Sequence, residues 1–333
     1  MDALSPPSPR SNIRELAIRY HQEGRFAEAL KAYRIAILLF PKDTILTYNL
    51  GNLFRATGQN QKAIACYELV LRFKADDLST LTNLAPLYRS GGQREKAVAT
   101  YERILSLQPH NKTARYFLDA LQGSCPERSP DGYVQELFDR YSETFDQHIV
   151  STLKYKTPSL LRQLLSDDPE APLQYASALD LGCGTGLSAE AFQACSPYWV
   201  GVDLSAGMLE KAYAKGLYRE LHTAEILNFL EKEERRFPLI LMADVVPYFG
   251  DLTLLLDSLK KCLTPGGYLL FSTEEGPRDV QLQLCGRFTH SSAYIHRLAE
   301  QTGLTLSRHR LETARMQAGE PVVAGLYSFR GET

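Results

Sequence analysis

The segment ALDLGCGTG at residues 178–186 has the residue types of a ligand-binding turn. A predicted apolar strand ends near Asp180, glycines follow at positions 182, 184 and 186, and a helix is predicted over residues 187–194. Glycine adopts positive φ without strain and lets a ligand approach the main chain closely. Because ligands of parallel sheets bind beyond the carboxyl ends of the strands, we expect a ligand to contact this turn.

The spacing of these glycines narrows the class of ligand. The order is GxGxG and not the GxGxxG of dinucleotide-binding proteins, since Leu187 stands where the last glycine would fall. No Lys-Ser or Lys-Thr pair follows, which excludes the phosphate loop of nucleotide hydrolases. Asp203 ends the next predicted strand, and its carboxylate is suited to accept hydrogen bonds from the two hydroxyls of a ribose. Asp203 alone does not separate nucleotide classes, and a nicotinamide-dependent dehydrogenase is the weaker alternative.

Three other residues, which lie later in the chain, are candidates for acid–base chemistry. Asp244 and Tyr248 lie in ADVVPYFGDL, after the fourth predicted strand, and His290 lies in GRFTHS, after the fifth. An oxygen, nitrogen or sulfur nucleophile usually needs a general base close by. Arg287 in GRFTHS is suited to hold an anionic group. For His290, capping of a helix predicted at residues 292–301 is the structural alternative.

The elements that must position these residues alternate between strand and helix from residue 178 onward. Such alternation predicts a parallel sheet with helices on both faces. Residues 304–311 and 322–329 alternate apolar and polar side chains, which predicts a hairpin that closes the sheet. Upstream, residues 133–165 carry apolar residues at helical spacing and predict a helical cap. In that cap, Tyr133 and Tyr141, together with Tyr155, are candidates to cover a ligand, and the alternative is that they are core aromatics.

The N-terminal third repeats with a period of 34 residues. The recurring positions are Leu16, Leu50, Leu84 and Leu118; Tyr20, Phe54 and Tyr88; Gly24, Gly58 and Gly92; Ala29, Ala63 and Ala97; and Tyr33, Tyr67 and Tyr101. Each unit reads as two helices joined by a glycine turn, in which alanine allows close approach and the aromatics fill the space between helices. One pair cannot bury its own apolar stripe, so neighbouring pairs are expected to stack into a solenoid.

Composition excludes several classes of protein. The chain has 333 residues, 44% hydrophobic and 23% charged, which is ordinary globular composition. With 37 Lys and Arg against 39 Asp and Glu, a strongly basic nucleic-acid clamp is disfavoured. Residues 1–122 carry a net charge of +6 (17 basic, 11 acidic) and residues 123–333 a net charge of −8 (20 basic, 28 acidic), so the halves either face different partners or are merely solvated. No apolar run approaches membrane-spanning length, no secretory signal is visible and the six cysteines form no framework, so a cytoplasmic location is expected.

These motifs resemble two known families. The N-terminal third resembles the tetratricopeptide repeat. Residues 123–333 resemble class I S-adenosylmethionine-dependent methyltransferases, because LDLGCGTG, VGVDLS, ADVVPY and LTPGGYLL occur in that family's order. FDRYSETFDQHI and AEILNFL are similar to a bacterial group of predicted methyltransferases with N-terminal tetratricopeptide repeats. The resemblance implies a helical solenoid followed by a Rossmann-like seven-stranded sheet.

The resemblance also implies a cofactor, S-adenosylmethionine, with S-adenosylhomocysteine as product and no metal. The implied cofactor-binding residues are Gly182, Cys183 and Gly184 at its amino-acid end, Asp180 facing its amino group, Asp203 on the ribose, Leu204, Met208, Glu225 and Ile226 around the adenine, Asp244 beside the methyl group, and Tyr133 and Tyr141 as a lid. The general base is left open among Asp244, Tyr248 and His290.

The predicted organisation is a disordered segment (1–9), three repeats plus a capping helix (10–122), a linker (123–132) and the methyltransferase domain (133–333). The predicted activity is methyl transfer to an unidentified acceptor, with the repeats recruiting a protein or carrier-bound substrate. The alternatives are a small-molecule methyltransferase whose repeats serve self-association, and a non-catalytic S-adenosylmethionine-binding scaffold. Membrane and nucleic-acid partners are not expected.

Overall fold

The computed structural model describes residues 9–143, 145–147, 149, 153–317 and 319–332. The chain divides into two compact units, Met1–Leu121 and Gln122–Thr333. The segment predicted to be disordered, residues 1–9, lies outside the described residues except for Pro9, where the first helix begins.

The first unit consists of helices at the predicted 34-residue spacing. They are α1 (Pro9–Gln22), α2 (Phe26–Leu39), α3 (Thr44–Ala56), α4 (Asn60–Phe73), α5 (Leu78–Ser90), α6 (Arg94–Leu107) and α7 (Lys112–Gln122). The first six pack as consecutive antiparallel pairs, and the repeated Ala63 and Tyr67 are fully buried within one such pair. The resemblance to tetratricopeptide repeats is thus confirmed in helix order and packing.

Residues that recur with the same 34-residue period cap the N-termini of three of these helices. Asp43 accepts hydrogen bonds from the backbone of α3, Asp77 accepts one from Thr80 N–H at 2.9 Å, and Asn111 accepts one from Ala114 N–H at 2.9 Å. Each side chain satisfies a backbone donor that the first turn of a helix leaves without an intrahelical partner. These capping residues recur every 34 residues, in phase with the repeat.

The second unit is built on a seven-stranded sheet with strand order β3-β2-β1-β4-β5-β9-β8. Its strands are β1 (Ala178–Leu181), β2 (Trp199–Asp203), β3 (Glu220–Thr223), β4 (Phe237–Met242), β5 (Leu263–Glu274), β8 (Thr305–Gln317) and β9 (Glu320–Arg330), while β6 (Val280–Leu282) and β7 (Phe288–His290) form a separate pair. The first five strands are parallel, and the C-terminal hairpin adds two antiparallel strands. The predicted Rossmann-like, mostly parallel sheet is confirmed.

Helices cover both faces of this sheet. They are α8 (Asp131–Tyr141), α9 (Phe145–Gln147), α10 (Thr157–Ser166), α11 (Leu187–Ala191), α12 (Ala206–Ala214), α13 (Ile226–Lys232), α14 (Thr253–Cys262) and α15 (Ser292–Thr302). Successive residues of β4 point to opposite faces, so Ile240 packs in one hydrophobic core and Leu241 in the other. The central strands are therefore buried on both sides, and their carboxyl ends remain as the accessible edge. Among the described residues, no helix combines the length and the apolar character that a bilayer span requires.

Candidate active site

A cavity in the second unit lies at the carboxyl ends of β1, β2 and β4. Its floor includes the glycine turn at residues 182–185, Asp203 and Asp244, and its sides include Glu225, Arg287 and Arg315. The roof is formed by apolar residues of the helical cap (residues 133–165), among them Val134, Phe138, Phe145, Ile149 and Leu153. The parallel topology brings these residues together, because every β-α connection of this sheet leaves from the same edge.

The glycine turn is held tightly from below and is open above. The N–H groups of Gly182 and Cys183 donate to Val202 O at 2.7 and 3.0 Å, which ties the turn to β2. A Cβ on Gly182, whose φ is +68°, would lie 2.3 Å from Cγ2 of Val245. A Cβ on Gly184, whose φ is +53°, would meet no atom within 4 Å. The backbone at Gly184 therefore faces free space in the cavity.

Asp203 joins this turn to the following strand. Its Oδ2 accepts from Gly184 N–H at 2.8 Å, and its Oδ1 accepts from Ser205 N–H at 2.8 Å. Burial raises the pKa of the Asp203 carboxyl, and the backbone donors oppose that shift by stabilising the anion. Each carboxylate oxygen can accept a second hydrogen bond. Asp203 is thus placed to hold both the turn and a ligand with paired hydroxyls.

Asp180 lies beneath the turn and does not line the cavity. Its side chain is fully buried, and Oδ2 accepts a hydrogen bond from the Tyr218 hydroxyl at 2.6 Å. Its Oδ1 has no hydrogen-bond partner among the described residues. Burial raises the pKa of Asp180 to about 7, which makes the neutral acid the dominant native form below that pH.

This raised pKa predicts a pH dependence of stability. Because the native state binds a proton at Asp180 up to about pH 7 while an unfolded aspartate releases it near pH 4, unfolding free energy should fall as pH rises between those values. We expect Asp180→Asn, which is neutral at every pH, to remove this part of the slope. Urea unfolding followed by fluorescence of Trp199, the single and buried tryptophan, at pH 5, 6, 7 and 8 measures it in this unit. Parallel pH profiles for both proteins would contradict the assignment.

Glu225 and Arg128 form the wall beyond Asp203. Glu225 caps α13, accepting from Leu227 N–H at 3.1 Å and Asn228 N–H at 2.9 Å, and it pairs with Arg128 at 2.7 Å. Arg128 belongs to the predicted linker, residues 123–132. That segment is part of the second unit, in which Ser129 N–H donates to Tyr248 O at 2.8 Å. Arg128 is a cavity residue that the sequence analysis missed, because Gly and Pro around it indicated only a linker.

A cluster of charged side chains forms the end of the cavity beyond β4. Arg287 donates to Asp244 at 3.0 Å and to the Tyr248 hydroxyl at 3.0 Å, and it also pairs with Glu274. Arg315 pairs with Asp244 at 3.4 Å and with Glu274. Burial favours the neutral form of Glu274, but the two guanidiniums outweigh it and hold the pKa of Glu274 below its usual range.

An unusual backbone conformation and a register shift orient two members of this cluster, Asp244 and Arg315, towards each other. Asp244 has a φ of +62°, a left-handed conformation that is uncommon for residues other than glycine and that concentrates at functional sites. Its N–H donates to Ser272 Oγ at 2.8 Å. A register shift between Thr313 and Arg315, where β8 pairs with β9, redirects the chain at Arg315. Arg315 is thereby buried against Asp244, and no sequence signal indicated this. Glu274, by contrast, lies at a strand end, as Asp203 and Asp244 do.

The structure brings most of the predicted site residues together. The predicted residues that line the cavity are Gly182, Cys183, Gly184, Asp203, Leu204, Glu225, Ile226, Asp244 and Tyr248. Tyr155, the third candidate of the cap, also lines it.

Like Asp180, the predicted residues Tyr133, Tyr141 and Met208 do not line the cavity. Tyr133 lies on another face of α8 from Val134 and Phe138, which form the roof. Tyr141 shares the face of Val134 and Phe138, but it is the last residue of the helix and is exposed. A helix turns every 3.6 residues, so aromatic type alone did not identify the inward face. Met208 is fully buried in α12.

His290 also lies outside the cavity lining. It is fully buried, and its Nε2 donates to the carbonyl of Gly250 at 3.0 Å. Burial lowers the pKa of the His290 imidazole. The N-cap of α15 is Ser291, which accepts a hydrogen bond from Tyr294 N–H at 3.2 Å. His290 therefore does not cap this helix, and it does not lie in the cavity where a general base would act.

Comparison with known proteins gives family matches over most of the chain. Residues 134–314 match the family described as "Methyltransferase domain", and residues 14–77 and 80–114 match families described as "Tetratricopeptide repeat". Among curated proteins, methyltransferase-like protein 27 of Homo sapiens is 42% identical over 85 residues, 25% of this chain and 34% of that protein. A ubiquinone biosynthesis O-methyltransferase of Chelativorans sp. is 32% identical over 158 residues, 46% of this chain and 62% of that protein.

A malonyl-[acyl-carrier protein] O-methyltransferase of Priestia megaterium is 26% identical over 206 residues, 55% of this chain and 72% of that protein. The chain thus spans between about a third and three quarters of the length of these relatives. Among solved structures, the N-methyltransferase NodS of Bradyrhizobium japonicum in complex with S-adenosyl-L-homocysteine is similar with a TM-score of 0.49 and 19% identity, over 60% of this chain and 99% of that one.

Proposed function

The chain belongs to the family of S-adenosylmethionine-dependent methyltransferases, and on that premise we propose that its cavity binds the methyl donor and an acceptor side by side. The donor occupies the end formed by the glycine turn, Asp203 and Glu225, and the acceptor occupies the end formed by Asp244, Tyr248 and Arg287. The observation that carries this proposal is that all of these residues line one and the same cavity.

The residues at the donor end fit S-adenosylmethionine. The free space above Gly184 accepts the amino-acid end of the donor against the backbone of Gly182, Cys183 and Gly184. Asp203 has spare acceptor capacity on both oxygens for the ribose hydroxyls. Leu204 and Ile226 supply apolar contact for the adenine. When bound, S-adenosylmethionine supplies a methyl group that is already activated on a sulfonium ion.

The helical cap contributes orientation and the exclusion of water. Phe138 packs edge-on against Phe145 and Tyr248, with ring centroids 6.2 and 5.6 Å apart. An Asp139 contact to Ser205 Oγ ties the cap to the loop after β2. Alignment of two reactants in such an enclosed site can lower a barrier by about 7–11 kcal/mol, which is the main task where the donor is already activated.

A titration of the full chain tests the donor end. We expect S-adenosylhomocysteine to bind with micromolar affinity in a calorimeter and to raise the melting temperature, and we expect no heat from NAD. Binding of NAD in place of S-adenosylhomocysteine would favour the dehydrogenase alternative. Transfer of labelled methyl groups separates the enzyme from a non-catalytic scaffold.

We further propose that the repeats recruit a protein or carrier-bound acceptor. The separate compact unit Met1–Leu121 and its stacked helix pairs support a recruiting role. In a cell extract supplied with labelled S-adenosylmethionine, we expect label in the macromolecular fraction, falling at least tenfold with residues 122–333 alone at unchanged S-adenosylhomocysteine affinity. Label that stays in the small-molecule fraction and does not depend on the repeats would instead favour self-association, which gel filtration measures.

A further inference from the structure

Two buried arginines dominate the acceptor end of the cavity. The side chains of Arg287 and Arg315 are 15% and 7% exposed, and both line the cavity. Arginine presents a planar fork of N–H donors that matches the two oxygens of a carboxylate. A site that needed to accept a cationic or apolar group would gain nothing from two guanidiniums at this position.

The charge balance of this end changes when the donor binds. Arg287 and Arg315 carry two positive charges, which Asp244 and Glu274 neutralise. The sulfonium of the donor would add a positive charge on the cavity side of Asp244, which gives this end one positive charge beyond its two ion pairs, whereas the Asp203 carboxylate lies at the other end of the cavity. An anionic acceptor would neutralise this local charge, and Coulomb energies are large in a partly buried site.

The described part of the cavity also lacks a group suited to remove a proton from the acceptor. Its described lining includes no histidine and no lysine. Asp203 and Glu225 accept backbone N–H groups. Asp131 and Asp244, which also line the cavity, are each paired with an arginine, at 3.7 and 3.0 Å. Burial raises the pKa of the Cys183 thiol and of the Tyr155 and Tyr248 hydroxyls, so these remain protonated at neutral pH.

Acceptors differ in whether they need such a base. Phenols and amines have pKa values of about 10 and are protonated at neutral pH, so their methylation requires proton removal. Carboxylic acids have pKa values of about 4 and arrive as carboxylates. The arginine pair and the scarcity of bases therefore both favour a carboxylate as the acceptor.

We propose, on the basis of the proposed function, that the acceptor is a carboxylate held by Arg287 and Arg315 and that the product is its methyl ester. A carboxylate oxygen forms the new bond to the methyl carbon while the carbon–sulfur bond breaks and its electron pair stays on sulfur. No proton moves in this step. The negative charge of the acceptor and the positive charge of the donor cancel.

Binding to the full chain tests the arginine pair without requiring turnover. The probes are malonate, glutarate, benzoate and octanoate, each compared with its amide, added to protein saturated with S-adenosylhomocysteine. We expect at least one carboxylate to bind tenfold or more tightly than its amide. The same carboxylate should bind more tightly still with sinefungin, a donor analogue that carries a positive amine where the sulfonium lies.

Variants assign this preference to the two arginines. Arg287→Gln and Arg315→Gln should each reduce carboxylate affinity at least tenfold, whereas Arg297→Gln, which alters an exposed arginine paired with Asp279, should leave it unchanged. Arg287→Lys keeps the charge and should give an intermediate affinity. If Arg287→Gln fails to bind S-adenosylhomocysteine, Arg315→Gln and Arg287→Lys decide the outcome.

The product provides an independent readout. With labelled S-adenosylmethionine and the carboxylate that binds, the label should be released as volatile methanol by mild alkali, as a methyl ester requires. No carboxylate preference, a preference that survives both glutamine variants, or an alkali-stable product would overturn the inference. Failure of S-adenosylhomocysteine itself to bind would instead overturn the proposed function.

Discussion

Asp203→Ala is expected to weaken the binding of S-adenosylhomocysteine about 100-fold. Hydrogen bonds to a charged group contribute about 1.5–3 kcal/mol each, and about 1.4 kcal/mol corresponds to a factor of ten in affinity. The variant loses the proposed bonds to the ribose and also the acceptors that hold Gly184 N–H and Ser205 N–H. Calorimetric titration of the purified full chain measures the loss.

Two further variants make this result specific to the carboxylate. Asp203→Asn keeps the shape, but its amide group would set a donor against one of the two backbone N–H donors, so we expect it to bind nearly as weakly as the alanine variant. Asp257→Ala, at an exposed position of α14, should bind like the unaltered protein. Unchanged affinity in Asp203→Ala would refute the donor site proposed for this cavity.

Gly182→Ala is expected to destabilise the second unit by about 3 kcal/mol, combining an overpacking cost of about 1–3 kcal/mol with a left-handed backbone cost of about 1–2 kcal/mol. The new methyl group would lie 2.3 Å from Cγ2 of Val245, in a turn whose neighbours are tied to β2. Urea unfolding followed by the fluorescence of Trp199 reports on this unit, because Trp199 is buried in β2. The affinity for S-adenosylhomocysteine should fall with it, since the turn must move.

Gly184→Ala is the matched control, two residues away in the same turn. Its new methyl group would meet no protein atom within 4 Å, so only the backbone cost at a φ of +53° remains, about 1–2 kcal/mol. Its methyl group projects into the space proposed for the donor, so affinity should fall more than stability does. Equal loss of stability in both variants would show that steric contact with Val245 is not what restricts position 182.

Repeated and periodic patterns made most of the fold predictable from the sequence. The 34-residue period identified the helix pairs, because each pair must present the same residue types to the next. Alternating strands and helices identified a parallel sheet, and carboxylates at strand ends identified Asp203 and Asp244. These are local patterns, in which the residues that matter lie within one turn or one strand–helix unit.

The helical cap shows what such local patterns do not predict, namely which of its residues face the cavity. The sequence identified its helices, but whether Tyr133 and Tyr141 reach the cavity depends on which face and which end of α8 meet the sheet. That face is set by packing against residues such as Tyr248, more than a hundred positions along the chain. The position of His290 outside the cavity lining has a related cause, since its burial against the Gly250 carbonyl depends on where β7 lies.

The sequence by itself determined the residues of the proposed donor end, because a glycine turn and the next strand end are joined by one short helix and must meet at one edge of a parallel sheet. Only the tertiary structure brought together the residues of the proposed acceptor end. Asp244, Glu274, Arg287 and Arg315 come from four separate segments, and Asp244 is 71 positions from Arg315. Electrostatic pairing between such distant groups leaves no periodic trace, so it becomes visible only when the strand order and the register shift in β8 have placed the charges together.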